Sequence, residues 1–468
     1  MSLLECLRAR RTEALLMLAG LVVVALAHAA VAGATTGATF APETWIPIVI
    51  AAVVCVVIHV FIAVTAPTAD QVIVPCVLLL NGLGIVMIGR LDYARQQAGS
   101  ELSLAHNQVK LTIISLVVFG AVLLLVRDHR RLSRYSYLLG AAGLFLLVLP
   151  VIWPFGRPEA VEEAKIWISI GSLSVQPGEF AKILLILFFA KLLADKRQLF
   201  TIAGTKRFGI IFPRWRDIAQ IVAVWFIAMG VMAAENDFGP VLLLFGTVLL
   251  MLYMATSRIS WIMIGGLLIA IGAPILYLIS AKIQTRVANT INPLADFDGA
   301  GFQPSQALFA WAEGGLTGTG LGRGYPQLVP VAHSDYILAA FGEEIGLIGV
   351  AALIMLFTVI VTRGMQIALV TQDSFGKLAA SGLAMTMMIQ IFTVVAGISS
   401  LLPMTGLTTP FISAGGSSLM ANYMLIALLV RISAASNLEQ IAAPDQPASL
   451  PVAAAQELAA ARAGEVPA

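Results

Sequence analysis

Residues 301–349 read GFQPSQALFAWAEGGLTGTGLGRGYPQLVPVAHSDYILAAFGEEIGLIG, passing within a few positions from a polar, glycine-rich stretch into a long apolar run. His333, Ser334 and Asp335 stand at the edge of that run, and Glu343 and Glu344 lie inside it. An ionisable group at the centre of a spanning helix costs roughly 2.5 to 3.5 kcal/mol on insertion scales, so a chain that gathers several there puts them to use. The passage reads as the mouth of a membrane helix.

The rest of the sequence repeats the pattern. Of 468 residues, 59% are hydrophobic and 12% charged, against roughly 25% charged in a soluble domain, and the mean hydropathy is +0.92. A spanning helix needs about 20 mostly apolar residues. Such stretches lie near residues 13–34, 45–65, 71–89, 109–126, 135–153, 178–194, 217–234, 238–256, 260–281, 335–362, 377–398 and 412–432. The fold class is therefore an all-α polytopic integral membrane protein with about 12 transmembrane helices. A net charge of +2 gives no argument for nucleic acid. Cys6, Cys55 and Cys76 lie in or beside apolar segments without ligand spacing, so they predict neither a disulfide framework nor a zinc site.

Cytoplasmic loops retain Lys and Arg, which tests the topology. With the amino terminus inside, that side holds 18 of the 28 basic residues, among them Arg8, Arg10, Arg11, Arg127, Arg130, Arg131 and Arg134. Both termini are expected in the cytoplasm, and the polar loops 154–177 and 282–334 outside. The first apolar stretch is longer than the core of a secretory signal, so it reads as an uncleaved helix. Three domains are expected: amino-terminal helices over 1–108, a catalytic membrane core over 109–433 with its large outer loop 282–334, and a disordered cytoplasmic tail over 434–468.

Several constellations suit chemistry. Ser334 or Asp335 can cap the following helix, or Asp335 can act as a general base at the membrane surface. Glu179 and Lys182 lie three apart behind Pro177, hence on one helix face, as an ion pair or with Lys182 reaching a second partner. Trp167 reads as an interfacial anchor or a cover for substrate. Glu343 and Glu344 can pair with cations or stand as buried structural acids. The glycines of 301–324 form a hinge or let backbone approach a bulky ligand. Pro403 to Ser418, dense in Pro, Gly and Ser, suggests broken backbone.

In order along the chain these segments, AKIWISIG, QPGEFAK, ENDFGP, TRVANTINP, GFQPSQALFAWAEGGLTGTGLGRG, LVPVAHSDYILAAFGEEIGLIG and LLPMTGLTTPFISAGGSS, resemble the SEDS family (shape, elongation, division and sporulation), which includes RodA, FtsW and SpoVE. The resemblance implies a peptidoglycan glycosyltransferase that polymerises lipid II at the outer face of the cytoplasmic membrane. It places the family's essential acid on Asp335, beside His333, its buried acid and base on Glu179 and Lys182, its loop arginine on Arg286 and its tryptophan on Trp167. Gln306, Glu343, Ser417 and Ser418 fall in the matched motifs as supporting positions. Ser334 replaces the usual threonine, Gly178 a serine or alanine, and Ala414 a tyrosine. Thr405 within PMTG fits the elongation type over the division type. Two amino-terminal helices exceed the family's usual ten, as in its actinobacterial members.

Under that resemblance Asp335 accepts a proton from a sugar hydroxyl that displaces undecaprenyl pyrophosphate, with inversion. Arg286, Lys182 or a divalent cation, Mg or Mn, can compensate the leaving group. The implied partners are lipid II, membrane lipid and a class B penicillin-binding protein transpeptidase. The main alternative is a lipid II flippase or another membrane transporter.

Overall fold

The computed structural model describes residues 3–442 apart from 38, 40–41, 98, 100–102, 154–165, 171–172, 203, 208–209, 214 and 235–236. With no water in the hydrocarbon layer, each backbone N–H and C=O must find a partner inside its own segment, and helices follow. The amino-terminal part forms α1 (Leu3–Ala9), α2 (Arg11–Thr35), α3 (Pro42–Thr65), α4 (Ile73–Gln97), α5 (Leu104–Leu125), α6 (Arg130–Arg134) and α7 (Ser136–Ile152). There follow α8 (Pro177–Ile202), α9 (Trp215–Ala234), α10 (Phe238–Thr256), α11 (Ser260–Ile279), α12 (Ala281–Ile291) and α13 (Phe302–Gly314). The chain closes with α14 (Ile337–Val370), α15 (Ser374–Ile398) and α16 (Gly416–Ala442).

Each of the twelve expected stretches coincides with one of these helices, and among the described residues 9 helices are long and apolar enough to cross a membrane. The helices over 136–152 and 215–234 have shorter apolar runs, and α8 carries charge. α15 and α16 form the centre, with 72% and 78% of their apolar windows buried, whereas α11 is only 6% buried and turns its side chains outward. Small residues permit close approach in the interior. A Cβ added at Gly84 of α4 would stand 2.5 Å from the Ile412 carbonyl oxygen, and one at Gly382 of α15 would stand 2.7 Å from the Met251 sulfur.

Three expectations need correction. The outer segment 282–334 is not a loop without structure: it holds α12, α13 and two 3-10 turns, Pro293–Asp296 and Pro326–Leu328. Its helical period was masked by glycine and proline density, although Lys282, Thr285, Arg286 and Asn289 already follow i, i+3, i+4, i+7 spacing. Residues 434–442, expected in a disordered tail, continue α16, where Ser433 and Ser436 are buried against the 65–70 and 371 turns; the rest of that tail lies outside the described residues. Two small antiparallel hairpins interrupt the helices, β1 (Ile168–Ile170) with β2 (Leu173–Val175) and β3 (Gly204–Arg207) with β4 (Ile210–Pro213). Residue 108, the expected end of the amino-terminal unit, falls within α5, and α4 packs against α14 through Arg90, whose Nε donates to Glu344 at 3.0 Å.

α14 is broken at Gly346, whose φ of 68° lies in the left-handed region. The break is filled by the GGLTGTG segment. The amides of Leu347 and Ile348 donate to the carbonyls of Gly315 and Leu316 at 3.0 and 3.1 Å, while the amides of Thr319 and Gly320 donate to those of Glu343 and Glu344 at 2.9 Å each. A side chain at 346 would collide with the Gly318 amide. On its other side the segment rests on α2, where Leu321 packs with Val24, Ala27 and Val31.

At the opposite end of α2, Arg10 and Glu13 are both fully buried. Arg10 donates to both Glu13 carboxylate oxygens, at 2.8 and 2.7 Å, and to the carbonyls of Ala66, Pro67, Ala69 and Asp70. His59 of α3 joins Glu13 at 2.8 Å. Glu13→Ala would leave this guanidinium without its carboxylate, at a cost of about 3 kcal/mol or more. The expected result is a clear fall in the melting temperature of the detergent-solubilised chain, partly reversed by adding Arg10→Met; an unchanged melting temperature would refute the lock.

Candidate active site

The segments 280–304, 335–336 and 397–406 come together around a cavity of about 670 Å³. One wall is the polar stripe of α12, with Lys282, Thr285, Arg286 and Asn289; the others include Gln303 and Pro304 of α13, Asp335 and Tyr336, and Ser400, Met404 and Gly406. Ser280 caps α12 by accepting from the Ile283 amide at 3.4 Å.

The turn that carries Asp335 is held from behind. The Ala414 amide donates to the His333 carbonyl at 2.8 Å, and the Ser413 hydroxyl donates to the Ser334 carbonyl at 2.7 Å. The Ser334 hydroxyl donates to Asp335 Oδ1 at 2.9 Å. The capping reading fails: the residue at the N-cap of α14 is Tyr336, and no side chain caps that helix. Asp335 instead lines the cavity.

Gly406 marks where acid and cation meet. A Cβ placed there would stand 3.8 Å from Asp335 Oδ2 and 3.8 Å from Arg286 Nη2. Its φ of 77° suits glycine, and the bare Cα leaves both side chains room. The two do not close to ion-pair distance. Burial pushes the Asp335 carboxyl above its ordinary range, with the Ser334 hydroxyl and Arg286 pulling the other way. Burial lowers the Arg286 guanidinium, opposed by Asp237 and Asp335. A half-buried carboxylate whose affinity for a proton is raised, beside a guanidinium and near Lys282, can take a proton from a hydroxyl and receive an anion in the same space.

The other expected residues divide. Glu179 and Lys182 form a buried ion pair at 2.6 Å, and the second partner of Lys182 is Gln390 at 3.2 Å, so Lys182 does not reach Asp335. Gln390 in turn donates to the Thr408 carbonyl at 2.9 Å, which ties the pair to the 399–415 segment. Glu344 accepts from Arg90 and from the Gly322 amide, and Glu343 accepts from the Tyr325 amide; both acids fasten the glycine segment. Ser417 accepts from the Gln176 amide at 2.9 Å, and Ser418 from the Thr408 hydroxyl at 2.8 Å, so both serine hydroxyls hold backbone and neighbours. His333 is half-buried and its ring is pushed toward the neutral form by burial, then by Arg95. Trp167 is 43% exposed beside β1. Gln306 does not line the cavity; Gln303, one turn earlier in the same motif, does. Lys165 of the expected AKIWISIG segment lies outside the described residues.

Lys282, Asn289 and Gln303 were absent from the expected site. The spacing of Lys282 and Asn289 around Arg286 was the signal for them, readable once 281–291 is taken as a helix. Asp237, inside ENDFGP, is a further acid near the cavity. Burial pushes its carboxyl up to about 6, against the pull of Lys282 and Arg286.

The FtsW/RodA/SpoVE family of cell cycle proteins matches residues 70–438. The peptidoglycan glycosyltransferase RodA of Mycobacterium tuberculosis is 48% identical over 376 residues, covering 80% of this chain and 80% of that protein. The stage V sporulation protein E of Bacillus subtilis is 31% identical over 371 residues, covering 79% and 97%. Among solved structures, a chain from a peptidoglycan synthase complex that coordinates polymerization and crosslinking aligns with a TM-score of 0.62 at 22% identity, covering 79% of this chain and 98% of that one. The Thermus thermophilus rod shape determining protein RodA aligns with a TM-score of 0.55 at 22% identity, covering 78% and 96%. At such identities the structural likeness speaks to the fold.

The buried Glu179–Lys182 pair supports the site from within the helices. Lys182→Met would strand the Glu179 carboxylate, at a cost of about 3 to 5 kcal/mol. Glu179→Leu combined with Lys182→Met is expected to regain most of that loss, as measured by thermal unfolding in detergent. Equal melting temperatures for wild type and Lys182→Met would show that the pair contributes nothing.

Proposed function

The chain belongs to the FtsW/RodA/SpoVE family, and on that premise we propose that it is a peptidoglycan glycosyltransferase that polymerises lipid II during cell elongation. The observation that carries this reading is the convergence of Asp335 Oδ2 and Arg286 Nη2 over Gly406 in the cavity. The 48% identity to a peptidoglycan glycosyltransferase RodA supports the activity and the role in elongation.

In the proposed reaction the carboxylate of Asp335 accepts the proton of a sugar hydroxyl on one lipid-linked substrate. The hydroxyl oxygen forms a bond to the anomeric carbon of the other, and the bond from that carbon to the pyrophosphate oxygen breaks, its electron pair leaving with the pyrophosphate. Arg286 and Lys282 on α12 offset the charge that develops there. Attack from the face opposite the leaving group inverts the centre and gives a β-linked strand from an α-linked donor. Glu179, Lys182, Glu343, Ser417 and Ser418 act by holding the segments that present these groups.

The excess of Lys and Arg on the opposite face supports cytoplasmic termini and an extracytoplasmic cavity. A cavity at one face suits transfer, whereas alternating access by a flippase calls for a site near the midplane. The likeness to a chain from a synthase complex that coordinates polymerization with crosslinking supports a class B penicillin-binding protein as partner.

Incubated with lipid II, the purified chain with its transpeptidase is expected to yield glycan strands. Asp335→Asn should reduce the rate about 100-fold or more, in keeping with the loss of a general base. Wild-type rates from Asp335→Asn, or lipid translocation without polymer from the wild type, would overturn the assignment.

A further inference from the structure

The cavity is sorted by polarity along α12. Lys282 and Arg286 line it toward the start of the helix, and Asn289 lines it three residues beyond Arg286. Thr285 and Thr290 line it too, but their hydroxyl protons are spent on the helix itself, on the carbonyls of Ala281 at 3.1 Å and Arg286 at 2.7 Å. The carboxamide of Asn289 is half-buried and has no hydrogen-bond partner among the described residues.

A second carboxamide stands at the same end. After α12 the chain folds back: the Ala300 amide donates to the Asp296 carboxylate at 2.9 Å and the Gly301 amide to the Asp296 carbonyl at 3.0 Å. A Cβ at Gly301 would collide with the Pro293 carbonyl oxygen, so the start of α13 is pressed against the turn that ends α12. Gln303, in the first turn of α13, lines the cavity, and its Nε2 donates to the Pro330 carbonyl at 2.7 Å. A carbonyl can only accept, so this bond fixes which end of the carboxamide is nitrogen and leaves Oε1 as an acceptor for another group.

Resting on the reading that this cavity transfers a sugar from a lipid pyrophosphate, we propose that Asn289 and Gln303 form a subsite for the acetamido group of the donor sugar, the one bonded to the pyrophosphate. An acetamido group presents one N–H and one carbonyl oxygen. The two carboxamides supply the matching acceptor and donor, Gln303 Oε1 and Asn289 Nδ2, and bring no charge to compete for the pyrophosphate. The spacing agrees with this order. Asn289 follows Arg286 by about 4.5 Å along the helix axis, at 1.5 Å per residue. In the donor, four bonds lead from phosphorus through the glycosidic oxygen and carbons 1 and 2 to the acetamido nitrogen, and at about 1.5 Å per bond this path, folded at tetrahedral angles, covers a comparable span. A pyrophosphate at Lys282 and Arg286 thus sets the acetamido group against the carboxamides and the anomeric carbon between them, beside Asp335, whose Oδ2 converges with Arg286 on Gly406. A sugar without that group would leave both carboxamides unpaired in a space it has cleared of water, and the loss discriminates against it.

The test is polymerisation by the full chain with its transpeptidase, for wild type, Asn289→Ala, Asn289→Gln, Gln303→Leu, Asn289→Ala with Gln303→Leu, and Asp335→Asn. Each is given natural lipid II and two analogues, in which hydrogen replaces the acetamido group on the pyrophosphate-linked sugar or on the other sugar. Wild type should prefer lipid II to the first analogue about 100-fold in kcat/KM; Asn289→Ala and Gln303→Leu should each cut that preference about 10-fold, and the two together should bring it near unity. Asn289→Gln, which keeps a carboxamide, should retain more of the preference than Asn289→Ala. Discrimination against the second analogue should be the same in every variant. A merely structural effect of Gln303→Leu, acting through Pro330, lowers the rates on all substrates alike and leaves the ratio where it was. An unchanged ratio in Asn289→Ala or in Gln303→Leu, or a ratio that follows the other sugar, would overturn the subsite. If Gln303→Leu does not fold, Asn289→Ala decides alone, since its side chain holds no other described residue in place. A wild type that makes no polymer from natural lipid II, or an active Asp335→Asn, would instead refute the underlying assignment of the cavity.

Discussion

The hydrocarbon layer offers no water to a broken backbone, and beside the helices α12 and α13 the cavity of this protein is bordered by broken backbone. Residues 314–325 and 399–415 leave helical geometry beside the membrane and are sustained by partners within the protein. Asn81 donates to the Phe411 carbonyl, Gln108 to that of Ser413 and Gln390 to that of Thr408, each from a different helix. The same segment then grips the 333–335 turn through Ser413 and Ala414. The position of Asp335 is thus inherited from amides and carboxamides set deep in α4, α5 and α15, and not from its own helix.

Charge is handled in two ways. Arg10 with Glu13, Lys182 with Glu179 and Arg90 with Glu344 are buried and paired within 3.0 Å, and each ties one segment to another. These pairs hold segments in register, at a desolvation cost that only good geometry repays. Asp335 and Arg286 differ: they are partly buried, each acts on the other, and they stop short of contact. Incompletely compensated charge is costly to keep and is what a reaction with moving protons and a departing anion needs.

The amphipathic α12 explains how a soluble-looking stretch comes to line the cavity. Its polar stripe lines the cavity, while Ile291 and the nearby Leu294 are exposed on its outer side. Alternation at 3.6 residues sorts the two faces, so Lys282 and Arg286 are delivered to the cavity by the same periodicity that leaves apolar side chains at the membrane surface.

The linear sequence determined which stretches are apolar enough to span, where the charges fall along them, and that Glu179 and Lys182 share a helix face, since all three follow from composition and local spacing alone. It carried Asp335 and Arg286 as candidates through motif resemblance, yet left open whether Asp335 capped α14 or faced a substrate. That choice belonged to tertiary structure, because Ser413 and Ala414, some 80 residues away, orient the turn. Distance along the chain likewise hid the exchange of Gln306 for Gln303 and the insertion of 314–320 into the break at Gly346. Each depends on two segments that approach only after the helices pack, when side chains remote in sequence come to share one space from which water has been removed.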